Sequence, residues 1–396
     1  MNTNASVGSV ENRITEYDFI AGILIIGMLF SHCSYFSGYE VQIIRESYIW
    51  KIVYHYMVII IIPWFFFKSG MFFSKKSSLF TTIKRGGQKL LIPFLFFSIL
   101  GHLLWVCKLY IYGELNLSRL FLQPFNGVLL RGYPEGNLPM WFLLTLFIVK
   151  LLYRILMDKG TRFWIILCFC YIVPYVLNTL AVYYPYYLSN IFIALFYFGL
   201  GDKMRKFQYD DRTFLIGCIC FVLISFFCFS FVDTYNNKLE SGKYFLAPLL
   251  SLSGIVIINN LFKRVSPKYL VLLLSFGLLG FYVTSLSQFD KNGGVGLIIC
   301  YIICAILLLL LLCCNISLYK TFFLSIDCIG KNSMILFCCH WPIFWIADIL
   351  YFKISKLDCW LLFDIRLGLF ILLLPICVYL FNLKRFSWIT GKIISK

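Results

Sequence analysis

Charge is scarce in this chain. Only 13% of its 396 residues are Asp, Glu, Lys or Arg, against 61% apolar and 19% aromatic residues. A water-soluble domain cannot hide that much apolar surface, so the soluble class is excluded. Acidic residues are the scarcer sign, 18 against 35 Lys and Arg. The net charge of +17 does not imply nucleic-acid binding, because the basic residues are scattered through short loops. It suits a bilayer with anionic headgroups. Cysteine is plentiful, but metal-ligand patterns are missing. None of the sixteen cysteines belongs to a C-x-x-C pair matched by a second pair or by a His pair at zinc spacing. Most, such as Cys168, Cys170, Cys338 and Cys339, sit inside apolar runs as small helix fillers, and no bound metal or cofactor is expected. A cleavable signal peptide is also missing, since the first apolar run, 19–36, is too long for an h-region and has no small-residue cleavage site after it. There is no internal repeat and no matched pair of interrupted helices, which are the sequence marks of an inverted-repeat transporter.

What is present is a succession of membrane-length apolar runs. They predict an all-α polytopic membrane helix bundle of about twelve transmembrane helices, ten or eleven being the alternatives. The spans are roughly 18–37, 49–74, 89–112, 138–157, 163–182, 187–205, 213–232, 244–262, 269–289, 294–315, 331–352 and 359–382. Lys and Arg gather in alternate loops, for example Lys75, Lys76, Lys84, Arg85 and Lys89, then Arg154, Lys159 and Arg162, then Lys203, Arg205, Lys206 and Arg212. The positive-inside rule then places both termini in the cytoplasm. Residues 1–396 are expected to form one membrane domain, with 1–17 as a short cytoplasmic segment and no soluble domain appended. The loop 113–137, with Pro124, Gly127, Gly132, Pro134 and Gly136, is either a lid over an outward-facing cavity or an ordinary surface loop.

Ionisable residues inside apolar runs are costly and call for an explanation. Four histidines occur: His32, His55, His102 and His340. At 1.5 Å per residue, His32 lies about 20 Å from the cytoplasmic edge, His102 about 18 Å, His340 about 12 Å and Lys68 about 9 Å. Arg366 is deep as well, whereas His55 is near the outer interface. Asp18, Gly22, Ile25, Leu29 and His32 share one helical stripe, from a carboxylate at the membrane edge to an imidazole about 21 Å deeper. A lone intramembrane His can be structural, held by a backbone carbonyl. Several in one bundle point to a shared polar cavity, where a histidine can serve as general base. Lys68 is followed by Ser69-Gly70, where another helix can approach closely, and preceded by Pro63, which frees a backbone carbonyl and can kink the span. Asn332 or Ser333 can cap the eleventh span, and His340 lies two turns beyond Ser333, just before Trp341-Pro342.

Taken in order, these segments resemble the acyltransferase-3 family of integral-membrane acyltransferases, which includes glycan O-acetylases. The resemblance covers about residues 13–350. It rests on Asp18…Gly22…His32, Phe66-Phe67-Lys68-Ser69-Gly70, Lys89-Leu-Leu-Ile-Pro93, Leu138-Pro-Met-Trp141-Phe142-Leu143, Tyr197-Phe-Gly199-Leu-Gly201 and Gly330-Lys-Asn-Ser333 through His340. The resemblance implies transfer of an acyl group, commonly acetyl from acetyl-CoA, from the cytoplasmic side to a hydroxyl of a glycan or lipid-linked glycan. Acyl-CoA is then a co-substrate, and the protein resides in the inner cell membrane. The resemblance also makes His32 the catalytic residue, and His340 is expected to be its distant partner, acting by position or substrate binding. The mechanism is either direct base catalysis, which is preferred, or relay through an acyl-imidazole. Asp18, Lys68, Ser69, Gly70, Lys89, Trp141 and Ser333 are the expected donor-binding or structural positions. One position departs: the family usually carries Arg or Lys eleven residues ahead of the histidine, and here it is Ala21. Lys68 can supply that charge, the loop cations Lys75, Lys76, Lys84, Arg85 and Lys89 can suffice, or activity is reduced or changed. A transporter or flippase of a glycan intermediate is the rival function, since twelve spans with both termini inside suit that class too.

Overall fold

The computed structural model describes residues 5–33, 48–157, 162–180, 186–205, 211–227, 246–264, 269, 316–354 and 359–390. All regular structure among them is helical. The α-helices are α1 (Ala5–Cys33), α2 (Tyr48–Met71), α3 (Leu79–Gly86), α4 (Ile92–Ile111), α5 (Gln123–Arg131), α6 (Trp141–Leu156), α7 (Arg162–Thr179), α8 (Tyr186–Met204), α9 (Asp211–Phe227), α10 (Ala247–Arg264), α11 (Ile316–Lys331), α12 (Ser333–Ile354) and α13 (Cys359–Asn382). Ten of the twelve sequence-derived spans therefore coincide with described helices. The other two, 269–289 and 294–315, lie outside the described residues apart from residue 269.

Three features differ from the sequence expectation. Helix α1 begins at Ala5, so the segment before residue 18 continues the span as helix. Helix α11 occupies a stretch read as loop, because Lys320, Asp327 and Lys331 interrupt its apolar pattern. The loop 113–137 contains a π-helical turn (Ser118–Leu122) running into α5, with Leu117, Phe121, Phe125 and Leu129 exposed at intervals of four residues. Such a stripe marks a helix lying along an apolar boundary.

Among the described residues, four helical stretches are long and apolar enough to cross a membrane: Leu79–Ile111, Leu138–Leu156, Ser333–Tyr351 and Ile365–Asn382. Their burial tells centre from periphery. In α12, 72% of the apolar window is buried inside the protein, against 11% in α13. Helix α4 is two-faced. Leu95, Ile99 and Leu103 point out, while Phe94, Phe97, Ser98 and Gly101 face in. Outward-facing leucine and isoleucine along whole helices are what a bilayer solvates.

Glycines set the helix crossings. A Cβ on Gly70 of α2 would collide with the Phe198 carbonyl of α8, and one on Gly201 of α8 would collide with the Phe67 carbonyl of α2. Gly22 of α1 meets the Ile326 carbonyl of α11 in the same way, and Gly330 meets the Asp18 carbonyl. Backbones approach this closely only where the side chain is a hydrogen atom. The motif glycines 22, 70, 201 and 330 are thus the points that fix α1 against α11 and α2 against α8.

Two helix prolines, Pro63 and Pro342, leave carbonyls that other elements satisfy. Pro63 has no N–H for the Ile59 carbonyl one turn earlier, and the Ser251 hydroxyl of α10 donates to it instead. Pro342 likewise leaves the Cys338 carbonyl in α12, and the Asn137 side-chain amide donates to it at 3.2 Å and to the Phe97 carbonyl at 3.0 Å. In a membrane-spanning bundle an unsatisfied carbonyl costs several kcal/mol, so each cross-link stabilises the kinked helix and places its donor.

Candidate active site

Two histidines meet at the interface of α1 and α12. His32 Nδ1 and His340 Nε2 are 3.1 Å apart, with ring centroids 5.2 Å apart and planes 21° from parallel. The sequence-derived depths differ by about 8 Å, yet the rings touch. Counting the helical rise from span boundaries ignores tilt, and both helices extend or begin differently from those boundaries. Trp341 packs edge-to-face against both imidazoles, with centroids at 5.6 Å from His32 and 5.7 Å from His340. Phe344 closes the other side of His340 at 5.7 Å.

The hydrogen bonds determine which nitrogen carries which proton. His340 Nδ1 lies 2.7 Å from the Phe337 carbonyl, which can only accept, so Nδ1 donates. His340 is fully buried, and a neutral ring is the form such a site favours. Its Nε2 is then the acceptor, and His32 Nδ1 must donate to it. A neutral His32 consequently carries its lone pair on Nε2. His340 thereby holds the His32 ring in one tautomer and one orientation, the service a carboxylate renders to histidine in hydrolytic triads.

A second polar cluster sits fourteen residues earlier along α1, about 21 Å away by helical rise. Lys68 of α2 approaches α1, with its Nζ 3.1 Å from the Tyr17 carbonyl and 3.5 Å from Asp18 Oδ1, and lies 5.2 Å from the Trp64 ring centre. Ala21 is completely buried one turn further along α1. The Lys68 ammonium therefore stands at the turn preceding Ala21. Ser69 is half-buried beside it, and Gly70 forms the α2–α8 crossing.

The remaining sequence-derived positions are structural in their surroundings. Trp141 begins α6 and is buried against Phe66 and Phe142 at centroid distances of 6.4 and 6.2 Å. Phe142 contacts Phe337, which in turn contacts His340, so Trp141 supports the site through two layers of rings. Lys89 is exposed in the π-helical turn Gly87–Leu91. Lys75 is held 2.7 Å from the buried Asp202 carboxylate, which also accepts from the Tyr153 hydroxyl. Ser333 starts α12, but the side chain that joins helices there is Asn332. It donates to the Cys328 carbonyl of α11 at 2.8 Å and accepts from Asn382 of α13 at 2.9 Å. His102 donates through Nε2 to the Leu120 carbonyl at 3.1 Å, and the side chain of His55 lies outside the described ones.

Sequence reasoning misses two residues that organise the site. Asp348, buried in α12, binds Lys108 at 2.7 Å and Arg366 at 2.7 Å. A carboxylate inside an apolar run gives the same signal as His340, so Asp348 was open to detection. Asn137 is the other, and no local pattern marks it. Only the fold brings it to the carbonyl that Pro342 leaves.

Among the described residues no group of three or more His, Cys, Asp or Glu could hold a metal ion. The paired imidazoles suit proton transfer, and the Lys68–Asp18 pair suits charge recognition. No curated protein and no solved structure matches the chain. The family model described as an acyltransferase domain matches residues 14–382, which contain both histidines, the Lys68–Asp18 pair and every motif glycine discussed above. That match, together with the apolar helices, makes this a membrane acyltransferase and sets aside the transporter reading: the chain belongs to the acyltransferase-3 family.

Proposed function

We propose that this protein is an O-acyltransferase that moves an acyl group, acetyl in the simplest case, from a cytoplasmic acyl-CoA to a hydroxyl of a cell-surface or exported polysaccharide. The observation that carries the reading is the 3.1 Å hydrogen bond between His32 and His340. It equips His32 with a lone pair on Nε2 and a fixed orientation.

In this mechanism the acceptor hydroxyl gives its proton to His32 Nε2 as its oxygen attacks the thioester carbonyl. The C–S bond breaks, the acyl group stays on the acceptor oxygen, and the CoA sulfur takes the proton back from His32. The transient imidazolium is stabilised by His340 Nε2, which accepts from its Nδ1. His340 is a positioning residue. Lys68, set against the middle of α1 beside Asp18, is suited to a donor phosphate approaching from the amino-terminal end of α1. With the amino terminus cytoplasmic, that end faces the cytoplasm, and acyl-CoA and acceptor enter from opposite sides of the inner membrane.

The test uses vesicles holding wild-type protein or the His32→Ala variant, given acetyl-CoA labelled in its acetyl group and isolated envelope polysaccharide from the native host. Wild type releases CoA and labels the polysaccharide, and His32→Ala does neither while still inserting. Equal labelling by the two proteins refutes the assignment. Mass spectrometry of surface glycans from a deletion strain identifies acyl group and acceptor together, from the mass increment that disappears.

A further inference from the structure

A cleft of about 560 Å³ opens beside the carboxyl end of α4, between that helix and α5. Its size falls within the roughly 300–1,000 Å³ typical of small-molecule sites. Trp105 of α4 supplies an aromatic wall, and Gln123 and Asn126 of α5 supply amide groups. Two ion pairs flank these residues, Arg119–Glu114 at 2.9 Å and Arg131–Glu135 at 2.6 Å. The charged lining residues thus come as two guanidinium groups and two carboxylates, each matched across a short contact. Such a lining offers many donors and acceptors with no net charge. It does not suit a polyphosphate, which requires a surplus of cations. An aromatic face with amides and paired charges suits an uncharged polyhydroxy ligand, whose C–H face packs on the indole while its hydroxyls bond to the rim.

The cleft is joined to the histidine pair. Its wall residue Glu135 continues into Gly136 and Asn137. The Gly136 carbonyl accepts from Trp345 Nε1 at 2.7 Å, and the Asn137 amide donates to the Cys338 carbonyl at 3.2 Å. Both partners lie on α12 and bracket His340 in sequence.

We infer that this cleft is the docking subsite for the acceptor, and that the acceptor segment it takes is an uncharged oligosaccharide. The inference rests on the acyl-transfer reading for the word acceptor, but saccharide binding by the cleft stands apart from catalysis. Full-length protein in lipid nanodiscs is probed without any acyl donor by saturation-transfer NMR, with maltotriose and N,N′,N″-triacetylchitotriose as the probes. Wild type transfers saturation to at least one of the two. Trp105→Ala weakens that binding about tenfold, the size of effect expected on losing one aromatic anchor. The double variant Gln123→Ala, Asn126→Ala, in which Asn126 is exposed and Gln123 half-buried, weakens it as well and guards against misfolding of the Trp105 variant. Two trisaccharides silent with wild type, or signals unaffected by both cleft variants, overturn the inference. Saccharide binding without acyl transfer would overturn the catalytic reading alone. Acyl transfer whose acceptor KM is indifferent to Trp105→Ala would overturn the cleft alone.

Discussion

Replacing Asn137 by alanine should destabilise the bundle, and replacing Pro342 by alanine should rescue it. The Asn137 amide serves two carbonyls, at 3.0 Å on Phe97 and 3.2 Å on Cys338. Phe97 lies inside the continuous helix α4 and keeps an intrahelical amide partner, so losing Asn137 there costs about 1 kcal/mol, the net worth of one hydrogen bond. Cys338 has no such reserve, because residue 342 is proline. Its orphaned carbonyl costs a further 1–3 kcal/mol, roughly. Asn137→Ala should therefore lose about 2–4 kcal/mol. In the double variant Asn137→Ala, Pro342→Ala, the restored amide of residue 342 can bond to the Cys338 carbonyl within α12 and recover the larger part. The assay is reversible unfolding of the four proteins of the cycle in mixed micelles, read by tryptophan fluorescence. A coupling energy of at least about 1 kcal/mol is expected, and additivity within about 0.5 kcal/mol would refute the claim that Asn137 answers the proline. The cycle also has a functional readout, since Cys338 lies two residues before His340. Acyl transfer should fall with Asn137→Ala and recover in part with the double variant.

Four further outcomes follow from the same geometry. His340→Ala should leave His32 without its orienting acceptor and lower kcat by about 10²–10⁴-fold, the range for general-base catalysis, with the KM values little changed. His340→Gln, which keeps an acceptor in the side chain, should retain more activity than His340→Ala, and equal activities would remove the tautomer argument. Gly70→Ala and Gly201→Ala should each cost about 1–3 kcal/mol by forcing α2 and α8 apart, measured as a lowered melting temperature in detergent. Asp348→Ala should cost about 3–5 kcal/mol, because it removes the carboxylate paired with the buried guanidinium of Arg366, whereas Glu114→Ala at the more exposed Arg119 pair should be nearly silent. Lys68→Met should raise the KM for acyl-CoA and leave the acceptor KM unchanged.

Much of this was legible before any fold was known. Apolar runs of membrane length mark where helices lie because lipid imposes the same length and apolarity on every span. Ten described helices sit where those runs predicted them. Helix α11 escaped because it packs its backbone on α1 through Gly22 and Gly330 and so tolerates Lys320, Asp327 and Lys331, which hydropathy counts against it. His32 and His340 stood out one by one, as costly groups in apolar runs. That cost is a property of a residue and its neighbours in sequence, so sequence could flag it.

Pairing is another matter. His32 and His340 are 308 residues apart, and Asn137 reaches Cys338 across 201. A proline announces that a carbonyl needs a donor but does not say which chain segment will bring one. A glycine announces that something may come close without naming it. Sequence alone thus determined the solvent, the helical class and the list of residues whose burial demands a reason. Tertiary structure alone decided how those demands are met, because hydrogen bonds and close packing act over about 3–4 Å and depend on which helices the bundle makes neighbours.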